Sequence, residues 1–124
     1  MSNAPDRFEL FYTEPGQPKI EIQPETRVPN ACIFKFIKED HTLANLLRAR
    51  LLQSPSVVFA AYKVPHPLFP DFELRVQTDG SITPKDALLQ ACKDIVGDLG
   101  GLSREFTKEW EIAKAVAGGR PDGL

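Results

Sequence analysis

The sequence predicts an α/β fold of about four strands and two helices, and three patterns support this prediction. Apolar and polar residues alternate along residues 72–77, as in a strand with one buried face. Leucines recur at helical spacing between residues 43 and 51, and the Ser-Pro pair at 54–55 ends that helix. An apolar repeat with steps of three and four residues then runs from Leu88 to Ala113, which predicts a much longer second helix.

Three further segments read as strands. Residues 31–38 and 57–64 are rich in β-branched and aromatic side chains, and residues 19–22 form a short extended piece. Another short extended piece is expected at residues 8–12. Because the proline-rich link from 57–64 to 72–77 is short, those two strands should be antiparallel neighbours.

Both helices have recognisable N-termini. Asp40 or Thr42 can cap the first helix. Thr83 can cap the second, since Pro84 suits the first helical position and Asp86 sits where a capping box places a carboxylate. The sequence therefore predicts the start of each helix better than its end.

The length of the second helix predicts a partner. A helix over residues 84–117 would be about 50 Å long at 1.5 Å per residue, whereas a compact domain of this size is about 35 Å across. The apolar stripe continues to Phe106 and Trp110, and each large apolar side chain left in water forgoes about 1.5–3 kcal/mol. Another polypeptide should therefore cover the stripe, unless the helix breaks at Gly100-Gly101 and folds back.

Size and charge limit the classes of function. The 124 residues suit one domain, predicted at residues 1–117 with a flexible tail at 118–124. The net charge is −2 and no basic block is present, so no strong direct nucleic-acid contact is expected. Neither an apolar run of bilayer length nor a secretory pattern is visible, so no membrane association is expected.

The run Glu39-Asp40-His41-Thr42 contains carboxylates, an imidazole and a hydroxyl, but adjacent residues at the start of a helix point apart. Helix entry is the preferred interpretation, and a free-standing enzyme using His41 and Asp40 is the alternative. Cys32 and Cys92 are predicted to be buried, reduced thiols. No metal site and no cofactor are expected, because the chain has only two histidines and no ligand spacing.

A family resemblance covers about residues 3–112. The run from Lys38 to Arg48, the stretch from Phe59 to Leu68, and the runs 74–78 and 83–88 resemble the α-like small subunits of cellular RNA polymerases. The opening residues 3–11 are more similar to the RNA polymerase II members than to the subunit shared by polymerases I and III, which is the alternative.

The resemblance implies a two-layer α+β fold with two helices on one face of an antiparallel sheet of about four strands, the C-terminal helix long and protruding. It implies a heterodimer with the larger α-like subunit. The two largest subunits dock on that heterodimer, together with small assembly subunits. The complete enzyme is expected in the nucleus, where it synthesises mRNA. The resemblance places no catalytic residue on this chain, since the catalytic magnesium belongs to the large subunits.

The predicted dimerisation interface lies on both helices. Leu43, Leu46 and Leu47 are expected near its centre. A homodimeric interaction module is a third hypothesis, beside the heterodimeric subunit and the free-standing enzyme. The predicted interface residues are Asp40, His41, Thr42, Leu43, Asn45, Leu46, Leu47, Arg50, Leu99, Leu102, Phe106 and Trp110.

Overall fold

A computed structural model describes residues 3–118 of the chain. The described residues divide into two units between Ala91 and Cys92, and the second helix starts in the first unit and continues in the second. In chain order the elements are a 3-10 helix at Arg7–Leu10, β1 at Ile20–Pro24, β2 at Ala31–Ile37, α1 at His41–Leu51, β3 at Val57–Lys63, β4 at Asp71–Thr78 and α2 at Pro84–Gly118.

The four strands form one antiparallel sheet in the order β1-β2-β4-β3. β4 therefore pairs with β2 on one side and β3 on the other, and β1 and β3 are the edges. The predicted α+β class and the antiparallel pairing of β3 with β4 are confirmed. Asp79 and Gly80 turn the chain after β4: the Ser81 backbone N–H donates to Asp79 Oδ1 at 2.9 Å, and Gly80 has φ of +95°.

One face of the sheet carries the core of the first unit. Phe72 and Leu74 of β4 are fully buried and lie opposite Phe36 and Phe34 of β2. The rings of Phe36 and Phe72 stack with centroids 4.6 Å apart. α1 packs against β3 and β4. The helical residues buried in this unit are Ala44, Leu47, Leu51, Ala87, Leu88 and Ala91.

The helix caps follow the sequence prediction. Asp40 is the N-cap of α1, and its Oδ1 accepts a hydrogen bond from the Thr42 backbone N–H at 2.9 Å. That bond stabilises the charged form and lowers the pKa of Asp40. Thr83 Oγ1 accepts from the Asp86 backbone N–H at 3.1 Å at the start of α2. Each cap satisfies a backbone donor that the helix itself leaves without a partner.

The long helix is continuous. α2 runs for 35 residues through Gly100 and Gly101 without a break, so the alternative of a fold-back at the glycines is not what the structure shows. It ends at Gly118, one residue beyond the predicted boundary, and residues 119–124 of the predicted tail lie outside the described residues. Over residues 3–118, no helix combines the length and apolarity needed to cross a membrane.

Two expectations are wrong. Residues 8–12 are not extended: they belong to the 3-10 helix and the turn after it, where the Tyr12 backbone N–H donates to the Phe8 carbonyl at 2.9 Å. The cysteines are free thiols, but they are not both buried, because Cys32 is half-buried and Cys92 is exposed. Cys92 belongs to the apolar repeat of α2, and part of that repeat is exposed.

Candidate protein interface

An apolar stripe lies exposed on α2. We define it as Leu99, Leu102, Phe106 and Trp110, whose steps of three and four residues place them on one side of the helix. Leu102 and Phe106 are 65% and 67% exposed. The rings of Phe106 and Trp110 stack with centroids 6.3 Å apart. All four side chains are more than half exposed.

Two basic residues of α2 lie opposite the stripe. At 100° per residue, Arg104 and Lys108 are on the opposite side of the helix from Phe106. Glu111 and Lys114 form an ion pair at 3.8 Å. The C-terminal part of α2 thus has a polar back, at Arg104 and Lys108, and an exposed apolar front.

An uncovered front of this kind has a clear chemical capacity. Soluble monomers rarely expose apolar patches larger than a few hundred Å². Burying each of these four side chains against a complementary surface would contribute about 1.5–3 kcal/mol. The stripe is suited to binding another apolar helix face and has no group that could act on a substrate.

The leucines of α1 differ in exposure, and one prediction needs correction. Leu46 is 43% exposed and can reach a partner, and Leu43 is half-buried. Leu47 is 2% exposed because it belongs to the core of the chain itself, so it has almost no surface left for a partner. A charged substitution at Leu47 would therefore report on folding and not on pairing.

The polar residues of the predicted interface are held by local bonds. His41 Nδ1 lies 2.8 Å from the Tyr62 hydroxyl, a contact that the sequence did not indicate. Asn45 Oδ1 accepts from Arg48 Nη2 at 2.7 Å, and Arg50 Nη1 donates to Gln53 Oε1 at 2.9 Å. All of these bonds lie near the surface of the first unit, where they fix side-chain directions on α1.

These bonds also bear on the enzyme hypothesis. Asp40 is engaged with the Thr42 backbone, and His41 Nδ1 contacts the Tyr62 hydroxyl. The Asp40 carboxylate is thus used as a helix cap, whereas an orienting third group would bind the imidazole. Among residues 3–118, no group of three or more His, Cys, Asp or Glu side chains could hold a metal ion.

One apolar surface in the first unit was not predicted from the sequence. Leu68 and Phe69, in the loop between β3 and β4, are 82% and 62% exposed. Two adjacent large apolar residues between prolines were the available signal, but composition alone could not tell whether the loop folds inward.

Comparison with protein families gives one match over most of the chain. Residues 31–105 match the RNA polymerase Rpb3/Rpb11 dimerisation domain. The match includes α1, the whole of β2 to β4, and α2 up to the residue before Phe106.

Curated relatives match over more of the chain. The probable DNA-directed RNA polymerase II subunit RPB11 of Caenorhabditis briggsae is 53% identical over 97 residues, which cover 78% of this chain and 79% of the relative. The DNA-directed RNA polymerase II subunit RPB11 of Schizosaccharomyces pombe is 43% identical over 110 residues, 89% of each chain.

A solved structure shares the fold. The DNA-directed RNA polymerase subunit L of Thermoplasma acidophilum superposes with a TM-score of 0.66 at 22% identity, covering 77% of this chain and 92% of the archaeal one. At that identity the likeness supports the α+β fold alone.

Proposed function

The chain belongs to the RNA polymerase Rpb3/Rpb11 dimerisation domain family, and we propose that it is a non-catalytic assembly subunit of DNA-directed RNA polymerase II. It forms a heterodimer with the larger α-like subunit in the nucleus. The two largest subunits dock on that dimer together with small assembly subunits, and the complete enzyme makes mRNA. The names of the curated relatives do not favour the alternative subunit shared by polymerases I and III.

The exposed stripe on α2 is the observation that supports this proposal. A chain with a well-buried sheet face still leaves Leu99, Leu102, Phe106 and Trp110 in water. Leaving four such side chains exposed forgoes free energy that a matching helix would recover on association. Pairing with an apolar helix of the larger α-like subunit is the simplest way to bury them.

The outer surface of α1 contributes a second set of contacts. Leu46, Asn45 and His41 are exposed, and Leu43 is partly so. Leu47 supports this surface from inside, because its burial fixes the position of the helix. Asp40 caps the N-terminus of α1, and the Thr42 backbone N–H donates the hydrogen bond of that cap. Arg50 lies near the C-terminal end of the same helix.

The proposal also assigns no chemistry to His41 and Asp40. If the chain is a scaffold, His41→Ala should leave nucleotide addition by the assembled polymerase unchanged, since the imidazole only binds the Tyr62 hydroxyl. An intact complex that has lost nucleotide addition would instead support the enzyme hypothesis.

Co-expression with the larger α-like subunit tests the proposed pairing. The expected product is a 1:1 complex by light scattering and sedimentation. Leu102→Asp should abolish co-purification, because a partner helix would bury an unpaired charge while the free chain keeps residue 102 in water. Lys108→Asp is the matched control, since it introduces the same side chain on the polar back of α2.

Three outcomes would count against the proposal. Normal pairing of Leu102→Asp would show that the stripe is not the contact. Loss of pairing in the Lys108→Asp control would show that any charge change disrupts the helix. A soluble, monodisperse homodimer of the isolated chain that ignores the larger subunit would support the homodimeric module.

A further inference from the structure

The C-terminal turns of α2 are exposed on every side. We call residues 102–118 the terminal arm. All of its residues are exposed except Ala117, which is half-buried. Trp110 on the stripe is 55% exposed, and Val116 on another side of the helix is 57% exposed. Ile95 is the last buried residue of α2. Since tertiary packing supplies most of the stability of a helix in a protein, that support ends before the terminal arm begins.

Glycines separate Ile95 from the terminal arm. Gly97, Gly100 and Gly101 all lie within α2, and glycine is the weakest helix former after proline because its backbone loses the most freedom. A Cβ at Gly97 would meet nothing within 4 Å, and at Gly100 it would meet only the flexible Arg104 side chain, at 3.4 Å. The packing of the described chain therefore does not require glycine at 97 or 100. What remains is a weak stretch of helix just before the terminal arm.

Local contacts give a helical terminal arm little support. Glu111 and Lys114 form an ion pair at 3.8 Å, but both side chains are more than half exposed, so water and salt screen the attraction. The rings of Phe106 and Trp110 stack one turn apart. Side-chain pairs at this spacing stabilise an isolated helix only slightly.

Other local features oppose a helical arm. Arg104 and Lys108 are like charges four residues apart, where they repel each other on the helix surface. Glu105 and Glu109 repeat this arrangement with the opposite sign. The Thr107 hydroxyl donates to the backbone carbonyl four residues earlier at 2.9 Å, a bond that slightly destabilises a helix. Within the described residues, the last turn of α2 has no basic side chain to meet the negative end of the helix dipole.

We propose that the terminal arm is only partly helical in the free chain and becomes fully helical when it pairs with the larger α-like subunit. This inference rests on the proposed function, which supplies the partner. The continuous α2 is then the conformation that pairing selects, because a covered stripe provides the packing that the free arm lacks.

Ordering of the arm makes pairing visible in the chain itself. Association and helix formation are coupled, so an unpaired chain carries an open segment and a paired chain does not. Proteases cut open segments in preference to packed helices. The arm therefore marks an unassembled chain for cleavage and loses that mark on assembly.

Hydrogen exchange, followed by mass spectrometry on the full chain alone and in the purified heterodimer, tests this ordering. In the free chain, amides of the terminal arm should exchange within about tenfold of the rate of an unstructured peptide, while amides around the buried Phe34 and Phe72 stay protected. Pairing should slow exchange in the arm at least about a hundredfold. Limited trypsin digestion should cut the free chain at Lys108 or Lys114 and spare the heterodimer.

A pair of substitutions at one position separates ordering from simple burial. Lys108→Ala and Lys108→Gly both remove a charge from the polar back of α2 and differ only in helix propensity. If pairing orders the arm, the glycine variant should have a Kd about three- to fivefold weaker than the alanine variant. The same two substitutions at Lys93, an exposed residue before Ile95, are the matched control and should give equal Kd values. That part of α2 is helical with or without a partner.

Three results would overturn the inference. One is slow exchange of the terminal arm in the free chain, a measurement that needs no partner. Another is an equal Kd for the two Lys108 variants. The third is a difference between the Lys93 variants as large as that between the Lys108 variants, since ordering would then not be confined to the arm. Light scattering of the parent mixture reports separately on the proposed function: a missing heterodimer would refute the pairing, while exchange in the free chain would still decide whether the arm is ordered alone.

Discussion

Truncating Phe106 to alanine should weaken the heterodimer and leave the fold of the chain unchanged. Phe106 is 67% exposed, so its ring contributes little to the stability of the free chain. In the proposed complex the ring is buried by a partner helix. The change therefore separates association from folding, which a substitution of the buried Leu47 could not do.

The expected magnitude follows from the exposed area. A phenylalanine offers roughly 200 Å², so the exposed two-thirds of Phe106 leave about 130 Å² for a partner to cover. At about 25 cal/mol per Å² this area represents about 3 kcal/mol. Alanine retains part of the contact, so we expect a loss of about 2–3 kcal/mol, which weakens the Kd roughly 30- to 150-fold.

The assay is a dilution series of the purified heterodimer followed by sedimentation velocity, with circular dichroism as the check on fold. Ile112→Ala is the matched control, since Ile112 is 49% exposed on the same helix and lies about 120° round it from Phe106. An equal effect of both variants would refute the assignment of the stripe, and so would a Phe106→Ala heterodimer with an unchanged dissociation constant.

Three other predictions can be checked on the heterodimer at fixed concentration. Gly100→Ala should raise the urea midpoint, with a gain in stability of up to about 1 kcal/mol, because alanine favours a helix and the added methyl meets only a flexible arginine at 3.4 Å. Pairing should not weaken, since residue 100 lies off the stripe. Weaker pairing would reveal a close approach of the partner backbone at Gly100. Gly80→Ala should cost about 1–3 kcal/mol, since its φ is +95° and a Cβ would lie 3.1 Å from Asn30 Nδ2; a neutral result would show that this turn relaxes. Because the folded-state pKa of Asp40 is lowered, its carboxylate stabilises the fold above its ordinary pKa of ~3.9 and loses that effect as the pH falls through the folded value. Asp40→Asn keeps the cap acceptor but removes the charge, so it should be less stable than the parent at pH 7, and the difference should shrink as the pH falls below that ordinary pKa in thermal melts. A difference that does not depend on pH would contradict this.

The strands and both helices could be predicted because local patterns determine them. The alternation in β4 and the leucine spacing in α1 reflect the side-chain periods of a strand and a helix. The caps at Asp40 and Thr83 were equally visible, since each needs only a side-chain oxygen a few residues before a backbone N–H.

The misses share a different cause, which is dependence on contacts distant in sequence. The carbonyl of Glu9 in the 3-10 helix accepts from Lys38 Nζ at 2.7 Å, and no local pattern encodes that bond. Leu46 and Leu47 are adjacent in one leucine pattern, yet the packing of α1 on the sheet buries only Leu47. Along α2 the same repeat includes the buried Ile95 and the exposed Phe106, so periodicity predicts an apolar face but not what covers it.

The strand order constrains how the sheet can be built during synthesis. β4 is inserted between β2 and β3, so the hairpin of β1 with β2 is the only part of the sheet that can form before residues 71–78 have left the ribosome. β3 emerges earlier than β4 and must wait for it without a paired neighbour. A nascent chain that stalls before residue 78 therefore exposes the unpaired edge of β2 and the unpaired strand β3. Both are templates for misassembly.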